Sequence, residues 1–270
     1  MGWMEQAPIW IVGLIMVAGL ALVHELGARA GRRLPSAIDD GEGRAYLVSS
    51  ALALLGLMLA FTFGAAEQRF NVRQRLVVDE SNAMGTAYLR IQLLDPPVRD
   101  TLSREILRYG ELRLGWPEAN NDPARLDAFD RESGDQQTAM WRTVGEAVRA
   151  NKLITLNGPL IDPINEMFDM AEARSAAQEA RVPLTILRVL AAYAFAAAAI
   201  MGFGSGTERR HDIVSTGVLV LLTLAFCLIL DLDRPHTGSV RINQGAMERT
   251  VAVMRQSESV KRPAAALKQP

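Results

Sequence analysis

Residues 46–66 read YLVSSALALLGLMLAFTFGAA and contain no charged residue. A helix needs about 20 such residues to cross the roughly 30 Å hydrocarbon core of a bilayer. Three further apolar segments lie at residues 8–23, 182–204 and 213–230. The four segments form two pairs, so the sequence predicts an all-α, polytopic membrane protein with four transmembrane helices.

A charged stretch separates the two pairs. Residues 67–181 contain 15 basic and 19 acidic residues, and this balance argues against a nucleic-acid surface, which needs clustered positive charge. We predict four regions: a first transmembrane pair at 1–66, a helical extramembrane insert at 67–181, a second pair at 182–230 and a carboxyl-terminal tail at 231–270. Residues 261–270 are expected to be disordered.

The insert has a helical pattern throughout, because its apolar residues recur at steps of three and four. Proline and glycine divide it into four predicted helices. The first continues from the second span to about Leu94, and the others cover residues 98–114, 124–151 and 163–180, with a break near Gly134 in the third. A continuous helix from Tyr46 to Leu94 would be about 73 Å long, so most of it would project beyond the bilayer.

The projecting part of this helix has two faces. Its apolar positions are Leu76, Val77, Met84, Tyr88 and Ile91, and its polar positions are Arg75, Asp79, Asn82, Thr86 and Arg90. The simple interpretation is one packed face and one solvated face. The alternative is that the polar positions line an aqueous passage or a contact between subunits.

Within the membrane, the second span carries a row of small residues at Ala53, Gly56, Ala60 and Gly64. Such a row lets another helix approach closely. A row of large apolar residues, which includes Phe61, fits lipid contact. The alternative for Phe61 is a hydrophobic constriction of the kind that gates pores by dewetting.

Arg188 is the charged residue inside the third span. It lies near the start of the span, where its side chain either extends to the headgroups or pairs with a carboxylate. Glu67 and Asp231, at the ends of other spans, are the candidate partners.

Two acids and an arginine follow the fourth span, at Asp231, Asp233 and Arg234. We interpret them as a solvated helix end that Pro235 terminates. The alternative is a cation site, but calcium takes about six to eight oxygen ligands, more than two carboxylates supply. No metal site is predicted.

No catalytic site is predicted either. The three histidines occur singly near span boundaries, without another ligand at a metal-binding spacing. The sequence has no phosphate-binding loop, nucleotide fingerprint or serine nucleophile motif. We expect no enzyme activity and no cofactor.

Two stretches carry a resemblance to a known family. The first is FTFGAAEQRF at residues 61–70 with LVVDESNAMGTAYLR at 76–90, and the second is DLDRP at 231–235. In these motifs, and over nearly the whole chain, the sequence resembles the bestrophin-like family of bacterial membrane proteins of unknown function. More distantly it is similar to bestrophin ion channels, which also place a Phe and, eight residues later, an Arg at the end of span two, as Phe61 and Arg69 are placed here.

The resemblance implies a homo-oligomer, a pentamer in bestrophins, in which the second helix of each subunit lines an ion pore. Phe61 and Phe63 would form an apolar neck, and Arg73, Asp79 and Glu80 would face the wet passage or subunit contacts. Asn82 on the polar face joins these pore candidates. The chain lacks the acidic cluster with which animal bestrophins bind calcium, so calcium gating is not expected.

Loop charges and the family resemblance imply opposite orientations of the chain in the membrane. Basic residues in the first short loop favour a cytoplasmic loop, with the insert and both termini outside. The resemblance instead implies a cytosolic insert. In either orientation we expect a multi-pass protein of the inner cell membrane, in contact with lipid, that conducts inorganic ions. The open alternatives are a membrane-anchored helical sensor or interaction module without conductance, and an accessory subunit of another membrane complex.

Overall fold

The computed structural model describes residues 7–33, 41–119, 123–149, 157–204, 209–234 and 239–266. Over these ranges the chain forms eight helices and no strand, which confirms the all-α class. The helices are α1 (Ile9–Arg33), α2 (Gly41–Ile91), α3 (Pro96–Ala119), α4 (Pro123–Arg149), α5 (Asn157–Glu179), α6 (Leu184–Gly204), α7 (Arg209–Asp233) and α8 (Gly245–Ala266).

The chain divides into two compact units. Residues 1–70 and 180–240 form the first, which we call the membrane unit. Residues 71–179 and 241–270 form the second, the extramembrane unit. The 51-residue helix α2 contributes to both. Residues 241–266, which lie within the predicted carboxyl-terminal tail at 231–270, belong to the extramembrane unit.

Four stretches of the described chain are long and apolar enough to cross a membrane, as predicted. They lie on α1, on α2, on the stretch that ends with α6, and on α7. The core of the membrane unit forms between these helices. Its buried members include Leu20, Leu55, Leu190 and Ile229.

Helices α1 and α6 make the most extensive contact in the membrane unit. A Cβ atom added at Gly27 or Gly31 of α1 would collide with the backbone of Ala199 or Phe203 on α6. In the opposite direction, a Cβ added at Gly202 would collide with the backbone oxygen of His24. Since lipid tails are as apolar as most side chains, such close backbone approach is a main source of helix association in membranes.

The helices of the extramembrane unit begin and end at other residues than we predicted. α3 continues through Gly115 and Pro117, where we expected it to stop, and α4 passes Gly134 without a break. A single internal glycine costs a helix only about 1 kcal/mol, which packing readily offsets. α5 begins six residues before Pro163, so this proline lies inside the helix and does not start it.

Helix α8 was not predicted from the sequence. Its buried residues Met247, Val251 and Met254 follow steps of four and three, the signature of a packed helix face. Asn243 caps its start, because its Oδ1 accepts a hydrogen bond of 2.7 Å from the amide of Gly245. The helix extends to Ala266, so the disorder predicted from residue 261 is wrong for residues 261–266.

Candidate functional site

The membrane part of α2 is covered by the rest of the chain along a narrow stripe only. Leu55, Thr62 and Ala66 are buried, at spacings of seven and four residues. The two proposed neck residues lie outside this stripe: Phe61 is 71% exposed and Phe63 is 36% exposed. This part of α2 therefore presents large apolar side chains to whatever surrounds the single chain.

The row of small residues on α2 is also uncovered. Ala53, Gly56, Ala60 and Gly64 are all exposed. A Cβ atom added at Gly56 or Gly64 would meet nothing within 4 Å. The close helix contact that this row allows is thus not made within the chain, in contrast to the glycines of α1 and α6.

The extramembrane part of α2 has the two faces that its sequence predicts. Arg75, Asp79, Asn82, Thr86 and Arg90 are all exposed. The apolar positions are buried, apart from the half-buried Leu76. Of the polar pore candidates, Asp79 and Asn82 are therefore open to solvent in the single chain.

Arg73 and Glu80 require a correction. We placed both at a wet passage or a subunit contact, but both side chains are completely buried in the extramembrane unit. Arg73 donates a hydrogen bond of 3.0 Å from Nε to the carbonyl oxygen of Ala177 on α5. The two residues lie on the face of α2 that also carries Val77 and Met84, so the helical period turns them towards the core.

Glu80 is the centre of a buried charge cluster. Its Oε1 accepts a hydrogen bond from Nε of Arg113 on α3, and its Oε2 accepts one of 2.7 Å from Nη1 of Arg174 on α5. Nη2 of Arg174 donates a further bond of 2.9 Å to Oε1 of Gln244, just before α8. One carboxylate thereby joins α2 to α3 and α5, and through Arg174 to the start of α8.

Aromatic rings complete the cluster. The guanidinium carbons of Arg113 and Arg174 lie 5.0 and 4.8 Å from the ring centroid of Trp116, within cation–π distance. Burial lowers the pKa of Arg113, but Glu80, with Tyr109 and Asp130, raises it by more, so the net shift of this pKa is upward. Burial also raises the pKa of the nearby Tyr109 hydroxyl, although Arg113 opposes that shift. Two cations and one anion are thus held in the dry interior of the unit.

The boundary cluster at the carboxyl end of α7 is buried rather than solvated, which corrects our interpretation. Asp231 accepts hydrogen bonds from the amides of Ser239 and Val240, at 2.8 and 3.2 Å. Asp233 accepts one of 2.9 Å from the amide of Val182. Arg234 donates from Nη1 to the carbonyl oxygen of Ala7 at 2.9 Å. Because backbone amides occupy both carboxylates, this motif fastens chain segments to each other.

A comparison with family profiles identifies the family of the chain. The sequence profile of the Bestrophin-like domain matches residues 12–247, most of the chain. The chain belongs to the bestrophin-like family. No curated protein matches the bestrophin-like chain in sequence.

Solved structures match the bestrophin-like chain in fold. A tryptophan-to-alanine variant of a bacterial bestrophin homologue from Klebsiella pneumoniae has a TM-score of 0.71 at 14% identity, over 92% of this chain and 98% of that chain. A leucine-to-threonine variant of the homologue has a TM-score of 0.69 at 14% identity, over 92% and 99%. The homologue structure obtained by Zn-SAD phasing has a TM-score of 0.67 at 14% identity, over 90% and 97%. At this identity the matches show the common fold.

The remaining boundary candidates of the bestrophin-like chain are Arg188, Glu67 and Arg69. Arg188 is exposed near the start of α6, and Asp231, one of its candidate partners, is engaged by backbone amides instead. Glu67 is exposed and Arg69 is half-buried. Among the residues that the structure describes, no three histidine, cysteine or acidic side chains are grouped so that they could hold a metal ion.

Proposed function

We propose that this bestrophin-like protein is a subunit of a homo-oligomeric ion channel of the inner membrane and that α2 lines its pore. The observation that carries the proposal is the uncovered surface of α2, where Phe61, Phe63 and a row of small residues are left open by the rest of the chain. Bestrophins, which the family resembles, are pentameric channels lined by the corresponding helix.

The chemistry of the open surface fits a gated passage. An apolar ring of Phe61 side chains, with Phe63 beside it, would form a constriction that closes by expelling water. Further along α2, the exposed Asp79 and Asn82 are polar positions at which ions would keep their hydration. The row of small residues supports the assembly itself, because Gly56 and Gly64 have room for a helix of another copy.

Ion leak from liposomes tests the neck. We expect Phe61→Ala to raise ion leak from liposomes reconstituted with the full chain, because a smaller side chain widens and wets an apolar constriction. Leu221→Ala is the matched control, since Leu221 is an equally apolar, 66% exposed residue on α7, and it should leave the leak unchanged. Equal leak from both variants and from empty liposomes would contradict the channel and favour a membrane-anchored sensor or interaction module.

The subunit count tests the assembly. Native mass spectrometry of the detergent-purified protein should give five copies. A stable monomer or dimer would contradict a central pore lined by α2, and stable copurification of an unrelated chain would favour an accessory subunit.

A further inference from the structure

The extramembrane unit contains a cavity of about 310 Å³ between α3, α4 and α5. Arg113, which is only 2% exposed, forms its inner wall. Asp130 on α4 and Glu172 and Glu179 on α5 line it as well, and all three are exposed. The volume lies at the lower end of the range of small-molecule sites, roughly 300–1,000 Å³, so the ligand would be small.

The three carboxylates are not neutralised by their neighbours. None of them forms a hydrogen bond or an ion pair with another residue that the structure describes. Burial raises the pKa of Asp130, and although Arg113 opposes this shift, Glu172 and Glu179 add to it. The mouth of the cavity therefore concentrates negative charge that a cation would relieve.

The inner wall of the cavity carries a positively charged hydrogen-bond donor. Nε of Arg113 is engaged by Glu80, but its Nη2 is buried and has no hydrogen-bond acceptor in the part of the chain that the structure describes. A buried donor without an acceptor is unfavourable. Because Nη2 has almost no accessible surface, a ligand oxygen reaches it only when the Arg113 side chain shifts towards the cavity, and the charge-assisted hydrogen bond then formed offsets that shift. The hydroxyls of Ser133 and Ser175 add neutral partners to the lining.

We propose that this cavity binds a small molecule that carries both cationic groups and a carboxylate, in the chemical class of the cationic amino acids. Its ammonium or guanidinium groups pair with Asp130, Glu172 and Glu179, and its carboxylate accepts from Arg113. The three carboxylates at the mouth of the cavity would repel a simple anion. A bare metal ion lacks a suitable ligand group among the described residues.

The site has a direct connection to α2. The guanidinium of Arg113 that would receive the ligand carboxylate is the one that donates to Glu80. A bound ligand would therefore share a hydrogen-bonding partner with the long helix. Binding itself does not depend on conductance, so its test is separate from the liposome experiment.

Calorimetric titration of the full chain in detergent with L-lysine tests the proposal. Cadaverine is the matched ligand, because it keeps both amino groups of lysine and lacks the carboxylate. We expect saturable binding of one lysine per chain. Cadaverine should bind about tenfold more weakly or worse, since it loses the charge-assisted hydrogen bond to Arg113.

Substitutions on α5 test the acidic wall. The double variant Glu172→Gln, Glu179→Gln should bind lysine about tenfold more weakly or worse, because two of the three carboxylates lose their charge. Glu166→Gln is the control, an exposed acid on the same helix that does not line the cavity, and its affinity should equal that of the wild type. All three substituted residues are exposed, so unchanged melting temperatures are expected.

Two results would overturn the proposal: no saturable heat with lysine up to about 20 mM, a concentration that detects even millimolar affinity, or equal lysine affinity of the double variant and the wild type. Equal affinities for lysine and cadaverine would overturn the assignment of the carboxylate to Arg113.

Discussion

Each of the two units of this protein is stabilised by a different kind of internal contact. In the membrane unit, Gly27, Gly31 and Gly202 let the backbones of α1 and α6 touch, and the buried charges of Asp231, Asp233 and Arg234 lie at the carboxyl end of α7 and not in this contact. In the extramembrane unit, Glu80 and two arginines form a buried ionic cluster. The contrast follows from the solvent: burial in lipid gives apolar side chains little advantage, so backbone contact matters most there, whereas a water-exposed unit has a hydrophobic core that can enclose paired charges.

Helix α2 runs through both environments, and its two parts differ in the same way. The membrane part buries a narrow stripe that includes Leu55 and Ala66, whereas the extramembrane part buries a broad face from Arg73 to Ile91. The difference indicates which surfaces are complete in one chain. The apolar face of the extramembrane part of α2 is covered by its own unit, whereas the rest of the chain leaves most of the membrane part uncovered.

Removing the central charge should have the largest effect on stability. We expect Glu80→Ala to lower the free energy of unfolding by about 3–5 kcal/mol, because it leaves Arg113 and Arg174 buried without their counter-ion. Asp79→Ala is the control, since Asp79 is the exposed neighbour on α2 and should change little. Thermal unfolding in detergent, followed by far-UV circular dichroism, measures both. Equal melting temperatures for the two variants would mean that the cluster does not stabilise the unit.

Disrupting the close backbone contact between α1 and α6 should have the next largest effect on stability. Gly202→Ala should destabilise the membrane unit by about 1–3 kcal/mol, because α6 must shift away from His24 to accommodate the methyl group. Gly56→Ala makes the same chemical change where nothing lies within 4 Å, and the fold of the single chain should tolerate it. Melting temperatures in detergent distinguish the two, and a Gly202→Ala protein as stable as Gly56→Ala would refute the proposed difference in packing.

The smallest effect is expected at the edge of the cavity. Because the folded chain raises the pKa of Asp130 above its ordinary value of 3.8, the ionised form opposes folding. The contribution of protonated Asp130 to stability is present below the pKa of the unfolded chain and is lost as the pH rises through the pKa of the folded chain. Asp130→Asn should therefore raise the free energy of unfolding at pH 7, and with it the melting temperature. The gain should be less than about 1 kcal/mol because the side chain is largely solvated. The gain should disappear near pH 3, where wild-type Asp130 is protonated; a gain that is equal at both pH values would point to another cause.

Periodicity in the sequence predicted much of this fold. Long apolar runs identified the four spans, and steps of three and four assigned the exposed and buried faces of α2. Periodicity led to a wrong prediction where a charged residue occupies a position on the apolar face. Glu80 lies three residues after Val77 and four before Met84, so its place in the apolar face was visible, yet its carboxylate suggested a polar role.

The same signal occurs in α3 and α5 and could have located the rest of the cluster. Arg113 lies in the buried series Ile106, Tyr109, Arg113, Trp116, and Arg174 lies in the series Ile164, Met167, Ala171, Arg174. A charged residue at each of three apolar faces, with opposite signs, indicates a buried ion pair. Which helices meet at that pair depends on non-local packing, and local spacing carries no information about it.

Helix α8 has a consequence for biosynthesis. It follows all four membrane helices in the chain, yet its residues Met247, Val251 and Met254 are part of the buried core of the extramembrane unit. Ser81 and Thr250 share a hydrogen bond of 2.8 Å, and Gln74 exchanges two with the backbone of Asn243. During translation, the core of the extramembrane unit therefore stays incomplete until α8 leaves the ribosome, after all four membrane helices have been synthesised. Premature termination before Gly245 would leave apolar surface on α2 and α3 exposed, and we expect a truncated product of this kind to be prone to aggregation.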